Sequence, residues 1–321
     1  MYNLDAIQCG GAQSSNTGNL SCEFKPQNIT GVILTAFNKS FTQAEIEVMD
    51  VTLAELFVND TKSLRAFPIK PFTSTTSNNS EDVTTTTDYG TENFVRDGKI
   101  GMSFRMDEGL CYWKKLRSFH QQQTSFKAIL IDEVNNVLWG SKSGDNFAGF
   151  SLQQLAIPPF TPNTGAEVFF FMIDLQFKNI KEFEKSTIIQ FGEDINVMDL
   201  ATGMLDVDLK AITTITGVGV VQIQAFTGCG AVNMYDVYST NLSNGAAWLA
   251  RNKSTGNAIT VTTVTAVPGA KSFSLDLDSS DPDYPTSGNS LEVYLAAPSV
   301  LSAAPVLMSG FEGSPLTIVI P

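Results

Sequence analysis

Charge, histidine and cysteine are all scarce in this sequence, and each shortage closes off a class of function. Asp, Glu, Lys and Arg together make up 17% of the 321 residues, against the roughly 25% usual in soluble domains. Sparse charge leaves polar and apolar surface for contacts between copies. The balance is acidic: 33 acids against 20 bases give a net charge of −13. Such a surface disfavours tight DNA binding, which rests on Lys and Arg neutralising phosphates. His120 is the single histidine. Nucleophilic catalysis sets a base, most often histidine, beside the nucleophile. His120 falls near the end of a predicted helix with Arg117 nearby, an ordinary place for a polar surface residue. The four cysteines, Cys9, Cys22, Cys111 and Cys229, form no C-x-x-C pair and match no zinc spacing. Free thiols in a reducing compartment are the expectation. No apolar run reaches membrane-spanning length. The polar stretch Met1–Asn19 lacks the basic start and apolar middle of a secretory signal.

Chemistry-bearing motifs are equally thin. Asp206 and Asp208 form one carboxylate pair, and Asp276 to Asp283 forms an acidic loop whose oxygens could suit calcium. That loop lacks EF-hand spacing and reads as an acidic strand end. Gly217-Val218-Gly219 lacks the third glycine of a dinucleotide fingerprint and precedes a strand, so it reads as a turn. The triplets at Asn28 and Asn241 match the glycosylation pattern only as chance would in an Asn/Thr/Ser-rich chain. Trp113, Trp139 and Trp248 are core candidates, with sugar stacking as the sharper alternative. No catalytic, cofactor or metal site is expected, and the protein is not expected to be an enzyme.

What the sequence has in quantity is strand. Ile29–Phe37 is a β-rich run. A helix follows over Thr42 to Val58, with Thr42 and Glu45 at capping-box spacing and Met49, Leu53, Leu56 and Phe57 at helical spacing. Pro68 and Pro71 keep Leu64–Phe72 from being a central strand. Thr73 to Gly90 (TSTTSNNSEDVTTTTDYG) offers almost nothing to a core and reads as a long loop or an extended hairpin arm. Ile100, Met102, Phe104 and Met106 then alternate along a strand. A short helix covers about Glu108 to Gln121. Further strands are predicted at 126–132, after the Asn135-Asn136 turn, and at 166–177, 206–215 and 219–226. A boundary is expected at Gly228-Cys229-Gly230. Beyond it, short β runs at 258–267, 271–277, 290–297 and 316–321 have the rhythm of a small immunoglobulin-like sandwich with almost no helix. The expectation is a mainly β chain in three parts: a flexible arm at 1–23, a β-sandwich or barrel with one or two short helices at 24–227, and the sandwich at 228–321.

The stretch from Arg65 to Gln121, with RAFPI (Arg65 to Ile69), the Thr-rich arm, Tyr89-Gly90, DGKIGMSF and CYWKKLRSF (Cys111 to Phe119), resembles major tail tube proteins of long-tailed bacteriophages. It is similar to virion proteins of phages with Bacteroidetes-type hosts, and Gly310 to Pro321 resembles the end of their appended decoration domain. The helix at Thr42 to Val58 has no clear counterpart in that family. The resemblance implies a homo-oligomer, hexameric in its rings, that stacks into a tube with other tail proteins. DNA would pass through its acidic lumen during ejection without specific binding. It implies a virion location after assembly in the host cytoplasm, no membrane span, and an inter-subunit arm at about 73–88 carrying Thr75, Thr76, Asn78, Asn79, Thr85, Thr86 and Asp88. Another virion component, such as a head-tail ring, decoration or capsid protein, fits the same features, and a glycan-binding module is the third reading.

Overall fold

The computed structural model describes residues 28–143, 146–165, 167–184, 187–190, 196–215 and 219–321. The protein is mainly β. The predicted arm at 1–23, with Cys9 and Cys22, and the start of the predicted turn at Gly217 and Val218 lie outside the described residues. The chain divides into two units after Thr202, with Val58–Asp60 belonging to the second.

The first unit is built on a sheet that closes on itself. The strands of this unit include β1 (Ile29–Ala36), β2 (Phe67–Ile69), β3 (Ser74–Ser77), β4 (Val83–Thr86), β5 (Glu92–Arg96), β6 (Gly101–Met106), β7 (Phe126–Asp132), β8 (Asn136–Trp139), β9 (Phe150–Ala156) and β10 (Phe171–Phe177), of which β4 and β5 stand outside the closed sheet. Antiparallel pairing runs from β1 through β7, β9, β10 and β6 to β3. The segment holding β2 and β3 brings the sheet back to its start. β2 pairs with β1, the Phe72 amide donates to Thr30 O at 3.0 Å, and the Thr73 amide donates to Arg105 O on β6 at 2.9 Å. The first half of this segment therefore bonds β1 and the second half bonds β6, which completes a barrel. Pro68 is tolerated because β2 pairs with β1 alone.

Alternation along the strands sorts side chains into two cores. Val32, Leu34, Ala128, Leu130, Phe104, Met106, Phe171, Ile173 and Leu175 form one cluster. Ile33, Ile129 and Ile131, on the opposite faces of β1 and β7, join a second. Both faces of these two strands are covered, so each reads as a continuous apolar run. The outer cover is helical. The predicted helix is two, α1 (Gln43–Glu47) and α2 (Met49–Phe57), broken at Val48. Thr42 and Glu45 form the predicted capping box. Ile46, Met49, Leu53 and Phe57 lie with Trp139 and Phe41 in the second cluster. A third helix, α3 (Leu110–Leu116), adds Leu116 to the first.

The second unit is a sandwich of two sheets. Its elements are β11 (Leu205–Ala211), β12 (Val220–Thr227), α4 (Tyr235–Leu242), β13 (Trp248–Asn252), β14 (Ala258–Ile259), β15 (Val261–Val267), β16 (Ser272–Leu277), β17 (Ser290–Leu295), α5 (Pro298–Ser302), β18 (Phe311–Gly313) and β19 (Leu316–Val319). One sheet runs β15-β16-β12-β11-β18 and the other β14-β13-β17-β19. Lettered along the chain, these are D-E-B-A, extended by β18, and C′-C-F-G, the strand order of immunoglobulin sandwiches. Trp248 opens strand C, is 2% exposed and donates its ring N–H to Leu242 O at 2.7 Å. Such sandwiches keep their buried tryptophan on this strand.

This order corrects the boundary expected at Gly228. Strands A and B precede that glycine. Their Val207, Val221, Ile223 and Ala225 belong to the same core as Trp248, Phe273 and the strand F residues Leu291 and Val293. Gly228, Cys229 and Gly230 all have positive φ, from 60 to 84°. They make the turn that leaves strand B, and their flexible composition imitates a linker. The near absence of helix expected beyond this point is also corrected. α4 and α5 are short, and α4 lacks a side-chain cap and departs from helical geometry at Tyr238, so neither leaves a strong trace in the sequence.

Candidate assembly interface

The Thr-rich segment is one strand of a long hairpin. At its base, β3 pairs with β6, and pairing continues outward. The Asn78 amide donates to Gly101 O at 2.8 Å and the Ser80 amide to Lys99 O at 2.9 Å. The two strands approach closely here: a Cβ on Gly101 would lie 2.6 Å from Asn78 O. Further out, β4 and β5 pair only with each other, as a separate two-stranded sheet. The tip is a tight turn in which the Gly90 amide donates to Thr87 O and Gly90 takes φ 76°. From Asn78 to Thr87 the extended chain covers about 30 Å, taking ~3.3 Å per residue.

Every residue from Thr73 to Asp97 is exposed. Phe94 (60% exposed) and Val95 (53%) leave more than half of their surface open, and Tyr89 (97%) almost all of it. An isolated two-stranded hairpin is marginal in water, so a projecting one with uncovered apolar side chains is a surface in want of a partner.

The seven expected arm residues fall into two groups. Thr75, Thr76, Asn78 and Asn79 anchor the base. The Thr75 hydroxyl donates to Ile29 O at 3.0 Å, Thr76 faces Ser103 in the β3–β6 register, the Asn78 side-chain amide donates to the Ser103 hydroxyl, and Asn79 accepts from the Gly101 amide at 3.1 Å. Thr85, Thr86 and Asp88 lie on the projecting part. The arm also runs beyond the expected limit of residue 88. Its return strand, with Glu92, Phe94, Val95 and Arg96, is half the structure, and the Asp88-Tyr89-Gly90 turn between two short β-rich runs is the signal that marks it.

The other candidates serve the fold. His120 Nδ1 accepts the Ile157 amide at 3.0 Å, and Arg117 donates to Ile157 O. Both tie α3 and the turn after it to the end of β9. Trp139 is fully buried; Trp113 is half-buried, donates to Pro158 O at 3.0 Å and packs edge-on against Phe160. With Trp248 also buried, Trp139 and Trp248 offer no face to a sugar ring, which corrects the stacking alternative for those two. In the acidic loop, Asp278 accepts from the Ser280 amide and hydroxyl, and Asp281 accepts from the Asp283 amide. The bonds from Ser280 hold the Asp278 carboxyl below its ordinary range and serve the turn. Asp206 and Asp208 lie on β11. Among the described residues no group of His, Cys, Asp and Glu could hold a metal. An open groove of about 410 Å³ beside β13 and β14 is lined by Trp248, Ala250, Ile259 and Val261 with their neighbours and carries no titratable side chain. No helix among the described residues is long and apolar enough to cross a membrane. The expectation of free thiols is corrected: Cys111 and Cys229 are both disulfide-bonded.

Against this geometry, no family model matches the chain, and no curated protein matches it.

Proposed function

We propose that the protein is a structural virion subunit, a phage tail tube protein that assembles into stacked, hexameric rings. The observation that carries this reading is the exposed hairpin, which the barrel anchors firmly at one end and leaves without cover at the other. In this reading the first unit builds the ring wall, the hairpin reaches a neighbouring copy, and the immunoglobulin-like unit serves as a decoration domain. The net charge of −13 supports a conduit that DNA crosses without sticking, and the protein has no catalytic role. Disulfides persist on virion surfaces and in other oxidising settings, which is compatible with a location on the particle once it leaves the host cytoplasm. Electron microscopy of the purified protein tests the proposal. Rings or tubes with six-fold symmetry are the expected result. Rings of another symmetry, or shells, would transfer the protein to a different virion component, and a stable monomer at all concentrations would defeat the reading.

A further inference from the structure

Closure of the barrel removes the free edges of its wall strands. In the barrel, β1, β6, β7, β9 and β10 each pair with strands on both sides. The hairpin instead offers two outer edges on one projection. The Thr87 amide donates to Thr91 O at 2.9 Å, so Thr87 and Thr91 are a hydrogen-bonded pair. Antiparallel pairs alternate. Thr86 and Glu92 are therefore a non-bonded pair whose amides and carbonyls point outward, as do those of Thr84 and Phe94 two residues on.

From this we infer that hairpins of neighbouring copies pair edge to edge, β5 of one copy against β4 of the next. The inference rests on the proposed ring assembly and names the contact within it. Copies related by rotation about one axis carry their hairpins in the same sense. The descending strand of one then lies beside the ascending strand of the next, so antiparallel pairing follows from the symmetry and repeats until the ring closes. The side chains suit the contact. β4 is Val-Thr-Thr-Thr, without the charge or proline that usually guards an edge. Glu92 and Phe94 of β5 would meet these uncharged threonines, with no like charge opposed. A two-fold contact of β5 with β5 would leave the unguarded β4 edge bare. Closing the ring covers both edges and gives each hairpin the further strands that a two-stranded ribbon needs for stability.

Proline substitution on the outward positions tests this. Thr86→Pro, and the double variant Thr84→Pro/Thr86→Pro, remove amides that make no bond within the hairpin and block the outer edge. The wild-type chain should form rings, with the amides of Thr84, Thr86, Glu92 and Phe94 exchanging about a hundredfold more slowly in rings than in monomer. The proline variants should keep the wild-type melting temperature as monomers and lose assembly by about tenfold or more. Proline variants that form rings as the wild type does, or rings whose arm amides exchange as fast as in the monomer, would overturn edge pairing while leaving the tube reading standing. A wild-type chain that never leaves the monomer would overturn both.

Discussion

Single residues show how local chemistry fixes this fold. Thr42 accepts the Glu45 amide at 3.2 Å, and the Glu45 carboxylate accepts the Thr42 amide at 2.6 Å. Burial alone would raise the Glu45 carboxyl, but the hydrogen bonds from Lys39 and Thr42 outweigh it and hold the group below its ordinary value. Thr42→Ala removes the cap and should cost about 1 kcal/mol, read as a lower urea midpoint with an unchanged slope. Tyr112 behaves in the opposite sense. Burial pushes its phenol up to about 12, while a backbone hydrogen bond with Lys70 acts the other way. The folded state therefore disfavours the phenolate. The stability tied to this group is fully present below the ordinary value of 10.0 and is lost as pH rises through about 12. Tyr112→Phe should shift the alkaline unfolding midpoint upward, measured by circular dichroism against pH. An unchanged midpoint would mean that another group governs alkaline unfolding.

At the scale of elements, the hairpin separates two roles that usually coincide. Its base is continuous with the barrel, and its outer part contributes nothing to either core. Replacing residues 82–97 by a short turn should leave the melting temperature of the monomer close to wild type while abolishing assembly. A large loss of stability would show that the arm is part of the fold. The same element marks how far the sequence can be read. Thr73 to Gly90 stands out because it lacks core-forming residues, and a hairpin is among the forms that composition allows. The return strand leaves a weaker mark, because Glu92–Arg96 is short and its apolar pair, Phe94 and Val95, is adjacent instead of alternating. The capping box, the alternation of Met102, Phe104 and Met106, and the Asn135 turn (φ 69°) are legible because local chemistry alone specifies them. Barrel closure is not legible, since it depends on a hydrogen bond between Phe72 and Thr30, distant in sequence. The disulfides at Cys111 and Cys229 are equally hidden, because spacing carries no information on which thiols meet.

For the molecule as a whole, the division after Thr202 changes what counts as a domain. A fragment of residues 203–321 keeps all the lettered strands and should fold with a cooperative thermal transition. One starting at residue 229 loses Val207, Val221, Ile223 and Ala225 from the core and should be unfolded by circular dichroism. If the shorter piece folds, strands A and B do not belong to the sandwich. Trp248 holds the same core, and Trp248→Ala should cost about 3–5 kcal/mol, a packing loss in a folded sandwich and not the loss of a binding face.

The proposed assembly depends on the exposed hairpin. Electron microscopy of the purified full-length chain, alongside the variant lacking residues 82–97, tests this dependence. The full chain should form six-fold rings or tubes and the variant should stay monomeric. Identical behaviour of the two, whether both assemble or neither does, would rule out a hairpin-driven assembly.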